Sequence, residues 1–121
     1  MQRDTNDQPL APLSATPARA DRSATRDPGL LILASLAGGP RHGYAMVEDI
    51  ARFGGARLGP GTLYGALARL EEAGLIEPLE SADRRRPYRL TPAGNDALAG
   101  EVDALERVVA TVRARLAEPT R

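Results

Sequence analysis

Lysine is missing from this 121-residue chain, and all sixteen of its basic side chains are arginine. A Schiff-base lysine and the lysine of a phosphate-binding loop are thereby excluded, and several enzyme classes with them. Cysteine is also absent, which removes disulfides and thiolate metal sites and leaves the redox compartment undefined. There is no tryptophan, and one phenylalanine and three tyrosines are the only aromatic rings. No apolar run approaches the ~18 residues that would span a bilayer. The first residues also lack the apolar stretch, about 7–15 residues long, of a secretory leader. A cytoplasmic location without membrane attachment is the expectation. Sixteen acidic side chains balance the arginines, so the molecule as a whole is not a basic nucleic-acid sponge.

What is present has a clear order. The length allows one domain with extensions, not two full cores. Residues 1–28 mix Pro9, Pro12, Pro17 and Pro28 with small and charged residues, four of each sign. Such a segment buries too little apolar surface to offset its ordering entropy, and a disordered tail is expected there. Asp27 and Pro28 then offer a cap and a first helical residue. The run GLLILASLAG is apolar on nearly every side and should be a buried helix, stopped by Gly38, Gly39 and Pro40. A second helix is expected from about Gly43 to Arg52, with Met46, Val47 and Ile50 inward. Gly54 and Gly55 break it, and Arg57–Leu58 could form a short strand.

The segment LGPGTLYGALARLEEAGLIEPLESADRRRPYRL, from Leu58 to Leu90, is the most informative. Leu63, Leu67 and Leu70 lie at i, i+4 and i+7, one face of a helix that opens at Pro60 and closes at Gly74. The opposite face carries Thr62, Tyr64, Gly65, Ala68, Arg69 and Glu72, mostly small or polar. A helix with one greasy face and one small, hydrogen-bonding face can enter a DNA major groove and be read there. A strand from Leu75 to Glu80 and a partner from Tyr88 to Leu90 follow, joined by a turn bearing Arg84, Arg85 and Arg86. Three charges at a tip can meet phosphates. The order describes a winged helix-turn-helix, mainly α with a small β-hairpin, over residues 29–91. Those residues hold eight arginines against seven acidic residues, so any DNA contact must rest on a local patch.

Thr91–Pro92 starts a last helix, residues 92–118, with a different pattern. Leu98, Val102, Leu105, Val109, Val112 and Leu116 are spaced 4, 3, 4, 3, 4, the a/d seam of a coiled coil. At 1.5 Å per residue this helix is about 40 Å long, more than a small domain can cover. A second copy of the chain is the expected cover.

Other chemistries fare poorly. Gly59-Pro60-Gly61 is neither a GxGxxG nor a P-loop pattern, but its helix N-terminus can meet a DNA phosphate. His42 has no second histidine, cysteine or carboxylate cluster beside it, so no metal or acid–base role is expected, and a helix-end or phosphate-proximal role is. Glu71 and Glu72 point about 100° apart on their helix and cannot act as a catalytic pair. Neither an enzyme nor a bound cofactor is expected. The rival to DNA binding is a winged-helix adaptor that binds protein only, which the balanced charge would suit.

The strings LLILASLAGGPRHGYAMVEDI, LGPGTLYGALARLEEAGLIE and RRRPYRLTPAG resemble, in order and spacing, the PadR family of bacterial transcriptional regulators. Residues 29 to 95 carry the likeness, and the single helix that follows is similar to the shorter subgroup. The resemblance implies a winged-helix homodimer on a palindromic operator in double-stranded DNA, usually a repressor. It also implies that Thr62 and Tyr64 touch DNA from the recognition helix and that the wing arginines reach phosphate or the minor groove. The candidate DNA contacts are therefore Gly61, Thr62, Tyr64, Gly65, Arg69, Arg84, Arg85 and Arg86. Gly65 stands where many members have proline. The short subgroup is associated with aromatic-lined drug pockets at the dimer interface. Tyr44, Phe53, Tyr64 and Tyr88 all lie outside the last helix, so the sequence gives a small-molecule effector no support.

Overall fold

The computed structural model describes residues 27–82 and 84–119. The expected disordered tail lies outside them except for its last two residues. Those two start the first helix, α1 (Pro28–Leu36), with Asp27 as its cap and Pro28 as its first residue, as expected. The Asp27 carboxylate accepts from the Gly29 N–H at 2.9 Å, and Pro28 sits where no intrahelical donor is needed. Leu31, Ile32, Leu33 and Leu36 are buried, so α1 is the central helix against which the others pack.

Gly39, at φ 130, turns the chain into a two-residue strand, β1 (Arg41–His42), and then α2 (Gly43–Gly54). Met46 and Ile50 of α2 are fully buried. This helix runs two residues past Arg52 because Gly55 is the first residue to adopt the left-handed conformation, at φ 69, where its N–H caps the Ala51 carbonyl. Ser35 is the one buried polar side chain of the described core. Its hydroxyl donates to Asp49 Oδ2 at 2.8 Å, which ties α1 to α2 and satisfies the group. Arg41 reinforces the joint, donating from Nε to the Ser35 carbonyl at 3.1 Å and lying 3.7 Å from Asp49.

Next comes α3 (Pro60–Glu72), with Leu63, Ala66 and Leu67 buried and Leu70 packed at the edge of the core. Its end is a Schellman motif: the Gly74 N–H bonds the Glu71 carbonyl and the Leu75 N–H bonds the Leu70 carbonyl, with Gly74 at φ 79. The strands β2 (Ile76–Pro78) and β3 (Pro87–Leu90) form the expected antiparallel hairpin, Ile76 opposite Leu90 and Pro78 opposite Tyr88. Finally α4 (Pro92–Ala117) leaves the body. This is a winged helix, mostly helical with one small sheet.

The sheet has a third strand, and it is not the expected one. Arg57–Leu58 forms no strand; β1 takes the open edge of β3 instead, giving the order β1-β3-β2 with Arg41 opposite Tyr88. Residues 41–42 reach that edge directly from the turn after α1. Arg57 is committed elsewhere, its guanidinium 2.6 Å from Glu48 of α2.

That ion pair gives a pH prediction. The Arg57 hydrogen bond, then its charge, hold the Glu48 carboxyl below the ordinary glutamate range. A lowered folded-state value means the pair's contribution is complete above the ordinary glutamate value and fades as pH falls through the lowered one. Both groups are solvent-exposed, so the effect on stability is small. In an NMR titration the Glu48 midpoint should lie below that of an unpaired glutamate and move up in Arg57→Ala. An unmoved midpoint would mean the pair does not persist in solution.

Candidate nucleic-acid interface

The interface starts with how α3 begins. Gly59 caps the helix with backbone alone, without a side-chain hydrogen bond to the first turn. The first-turn N–H groups, at the positive end of the helix dipole, therefore donate no hydrogen bond to a cap side chain. Pro60 needs no such partner, and the Leu63 N–H already bonds the Gly59 carbonyl at 2.9 Å. Gly61 and Thr62 are exposed, and a Cβ at Gly61 would meet open space. Because Leu63, Ala66 and Leu67 anchor the opposite face in the core, this first turn is presented outward on a fixed support.

Tyr64 is 57 % exposed, so its ring is not core. It leans across the start of α2: a Cβ on Gly43 would lie 3.0 Å from the Tyr64 hydroxyl and 3.2 Å from Leu63 Cδ2. A side chain at Gly43 would require the Tyr64 and Leu63 side chains to give by a few tenths of an ångström. On the other side stand the wing arginines. The hairpin is closed by the Leu79 N–H bonding the Pro87 carbonyl at 2.9 Å, which brings Arg84, Arg85 and Arg86 back toward α3, all exposed. A groove of about 280 Å³ lies between these elements, lined by Tyr64, the three arginines, Tyr88 and the His42–Tyr44 turn. Three segments well separated in the chain, at residues 42–44, 64 and 84–88, thus face one cleft.

Charge is distributed to match. Four of the eight arginines in residues 29–91 are turned onto carboxylates of the body: Arg41 and Arg52 on Asp49, Arg57 on Glu48 and Arg89 on Glu77. These pairs neutralise charge on the flanks, and three consecutive exposed arginines stand at the wing tip. Burial, followed by the Glu71 charge, raises the Tyr88 phenol above its ordinary value, while Arg86 opposes the shift. Tyr88 therefore remains a neutral hydroxyl at the groove wall at physiological pH.

Four of the eight sequence candidates, Gly61, Thr62, Gly65 and Arg69, are not among the residues that line this groove. Gly65 is half-buried one residue past Tyr64, and a Cβ there would lie 3.6 Å from Arg69 Nη1. Arg69 does not line the Tyr64–wing groove. Two turns along α3 it borders a second groove between α1, α3 and α4, together with Leu30, Leu70 and Glu101.

The helix-end role expected of His42 is observed, and Tyr44 was missed. His42 caps α2, its Nδ1 accepting from the Ala45 N–H at 3.3 Å, which leaves the ring proton on Nε2 as a donor at the groove wall. Tyr44, exposed in the first turn of α2, lines the groove beside it. Its signal was available: the first helix of a helix-turn-helix crosses the DNA backbone, so an exposed tyrosine at its start is well placed for phosphate. Three of the chain's four aromatic rings therefore border one groove.

The last helix shows two regimes. Leu98 is 9 % exposed and belongs to the chain's own core, which corrects its assignment to an intermolecular seam. The stripe exposed on the surface begins at Val102 and continues through Leu105, Val109 and Val112 to Leu116, with exposures from 41 % to 80 %. Val108 adds to it. Every residue from 105 to 119 is exposed. A run of apolar side chains this long on a single exposed helix is a surface of the kind that marks an interaction site.

Comparison with known proteins agrees with this geometry. Residues 32–100 match the family described as "Transcriptional regulator PadR-like family". A transcriptional regulator of Mycobacterium tuberculosis is 39 % identical over 94 residues, 75 % of this chain and 84 % of that protein. An uncharacterised 37.1 kDa transposon protein of Streptomyces fradiae is 51 % identical over 84 residues, 69 % of this chain; the match spans only 24 % of that longer protein. Among solved structures, a PadR family transcription regulator of Clostridium difficile superposes with a TM-score of 0.66 at 25 % identity, covering 74 % of this chain and 97 % of that one.

Proposed function

The chain belongs to the PadR-like family, whose members are DNA-binding transcriptional regulators and not enzymes, and on that premise we propose that it represses transcription as a homodimer on a palindromic operator. The observation that carries the reading is the convergence of Tyr64, near the start of α3, and the wing arginines on one groove, with Gly61 and Thr62 exposed on the turn before it. The recognition helix enters the major groove with Gly61, Thr62 and Tyr64 leading. Arg84, Arg85 and Arg86 grip the adjoining phosphates, and the Tyr44–His42 turn supports the backbone on the near side. The exposed Val102–Leu116 stripe pairs with its copy, so that two recognition helices address half-sites one helical turn, about 34 Å, apart. A dimer seated over two such half-sites blocks access of the transcription machinery to the bound stretch. No helix among the described residues is long and apolar enough to cross a membrane, in keeping with a cytoplasmic site of action.

Gel-shift titration across a salt series tests DNA binding. Affinity should fall linearly, on logarithmic axes, as salt rises. An adaptor that binds only protein would show no such dependence. Run-off transcription from a promoter carrying the bound site should decline as protein is added, and a rise would reverse the sign of regulation.

The recognition face gives a sharper prediction. Thr62→Ala and Tyr64→Phe each remove one hydroxyl and leave the leucine face untouched, so the fold should persist. Each should weaken operator binding by about 1 kcal/mol per contact, more where the partner is a charged phosphate. Unchanged affinity in both variants would show that this face does not meet DNA.

A further inference from the structure

The first turn of α4 sits directly on the residues that end α3, backbone against backbone. Thr91 makes three bonds there: its N–H donates to the Leu75 carbonyl at 3.1 Å, its hydroxyl donates to the Gly74 carbonyl at 2.6 Å, and that same oxygen accepts from the Gly94 N–H at 3.0 Å. Gly94 is buried against the same segment. A Cβ built on it would collide with the Leu75 carbonyl oxygen and lie 2.9 Å from the carbonyl carbon and 3.3 Å from Leu75 Cα. Unlike the far end of a flexible side chain, a backbone carbonyl in a turn closed by a Schellman motif cannot swing aside. One turn further, Leu98 is anchored in the core, and from residue 105 to 119 every residue is exposed.

We propose that Thr91 and Gly94 are positioning residues that fix the angle between the recognition helix and the dimerisation helix, and thereby set the half-site spacing that the dimer accepts. This rests on the homodimer reading above. The lever is long. Gly94 and Leu98 are about 6 Å apart along the axis and Leu98 and Leu116 about 27 Å, at 1.5 Å per residue. A displacement of about 1 Å at Gly94, pivoting at Leu98, therefore swings the far end of the stripe by about 4–5 Å. One base-pair step is about 3.4 Å. Spacing is thus sensitive to this joint, while the reading head on α3, held by its own leucines, is not.

The test measures affinity of the full chain for duplexes carrying the wild-type protein's own selected half-sites at a series of separations. Wild type should show one sharp optimum. Gly94→Ala should move that optimum by about one base pair or broaden it, and should lose affinity at the original spacing on the order of tenfold, since the duplex must then twist or bend to compensate. The base preference within each half-site should stay the same. Thr91→Val keeps the shape, loses the hydroxyl bonds to Gly74 and Gly94, and should broaden the optimum even if Gly94→Ala does not fold. Thr91→Ser, which retains both bonds, should keep the wild-type optimum. An unshifted, equally sharp optimum in folded, dimeric Gly94→Ala or in Thr91→Val overturns the proposal and leaves the homodimer reading intact. A wild-type protein indifferent to spacing would overturn both.

Discussion

Replacing Leu105 and Val109 together by aspartate should turn the protein into a monomer and lower its operator affinity by about 10²–10⁴-fold, the usual gain when two linked sites engage at once. Both side chains are close to half exposed within the protomer, so the change removes little intrachain packing. The core that ends at Leu98 is untouched, and circular dichroism should show an intact fold. Across a two-fold interface each aspartate meets a surface equivalent to its own, so an apolar seam becomes a desolvated cluster of like charges. Sedimentation velocity reads the loss of dimer directly. A double variant that still sediments as a dimer would mean that the stripe has another purpose and that the subunits meet elsewhere.

The second large effect is expected at the wing. With Arg84, Arg85 and Arg86 all changed to alanine, specific and random DNA should both bind far more weakly and by similar factors. Each neutralised phosphate contributes about −0.9 to the slope of log affinity against log salt, so removing three contacts in each of two subunits flattens that slope by up to about 5. Arg86→Ala alone should flatten it by about 1 per contact, or about 2 in the dimer. The fold should tolerate the change because all three side chains are exposed and the hairpin is closed by backbone bonds. A loss confined to one base position, with the slope unchanged, would mean that an arginine reads a base edge. No change at all would reduce the triplet to a solvated turn.

Local chemistry made much of this fold legible in the sequence. Asp27–Pro28 and Thr91–Pro92 begin helices because cap and proline are both short-range effects, and Gly74 ends α3 because only its own φ has to be positive. The 63/67/70 leucine spacing was likewise sufficient to orient α3. What escaped depends on partners distant in the chain. A strand of two residues has no periodicity, so β1 at Arg41–His42 could not be told from Arg57–Leu58; the open edge of β3 decides between them. The heptad spacing includes Leu98 but cannot say which chain covers it, and the core of its own domain does. Arg69 shares a helix face with some of the candidate contacts in projection, yet on α3 only Tyr64 lines the groove shared with the wing, and Arg69 falls beside a different groove. The positions of His42 and Tyr44 at the start of α2 were legible, but the close approach of α2 to α3 at Gly43 that brings them beside Tyr64 was not.

The central claim is that the α3 first turn and the wing read DNA in a symmetric pair. Selection of bound duplexes from a random pool by the purified full-length chain tests it most directly. The account predicts enrichment of an inverted repeat whose two half-sites lie about one helical turn apart, with the enrichment abolished in the Leu105/Val109 aspartate variant. A pool that remains random after repeated rounds, or one enriched for a single unpaired site at undiminished affinity, would contradict it.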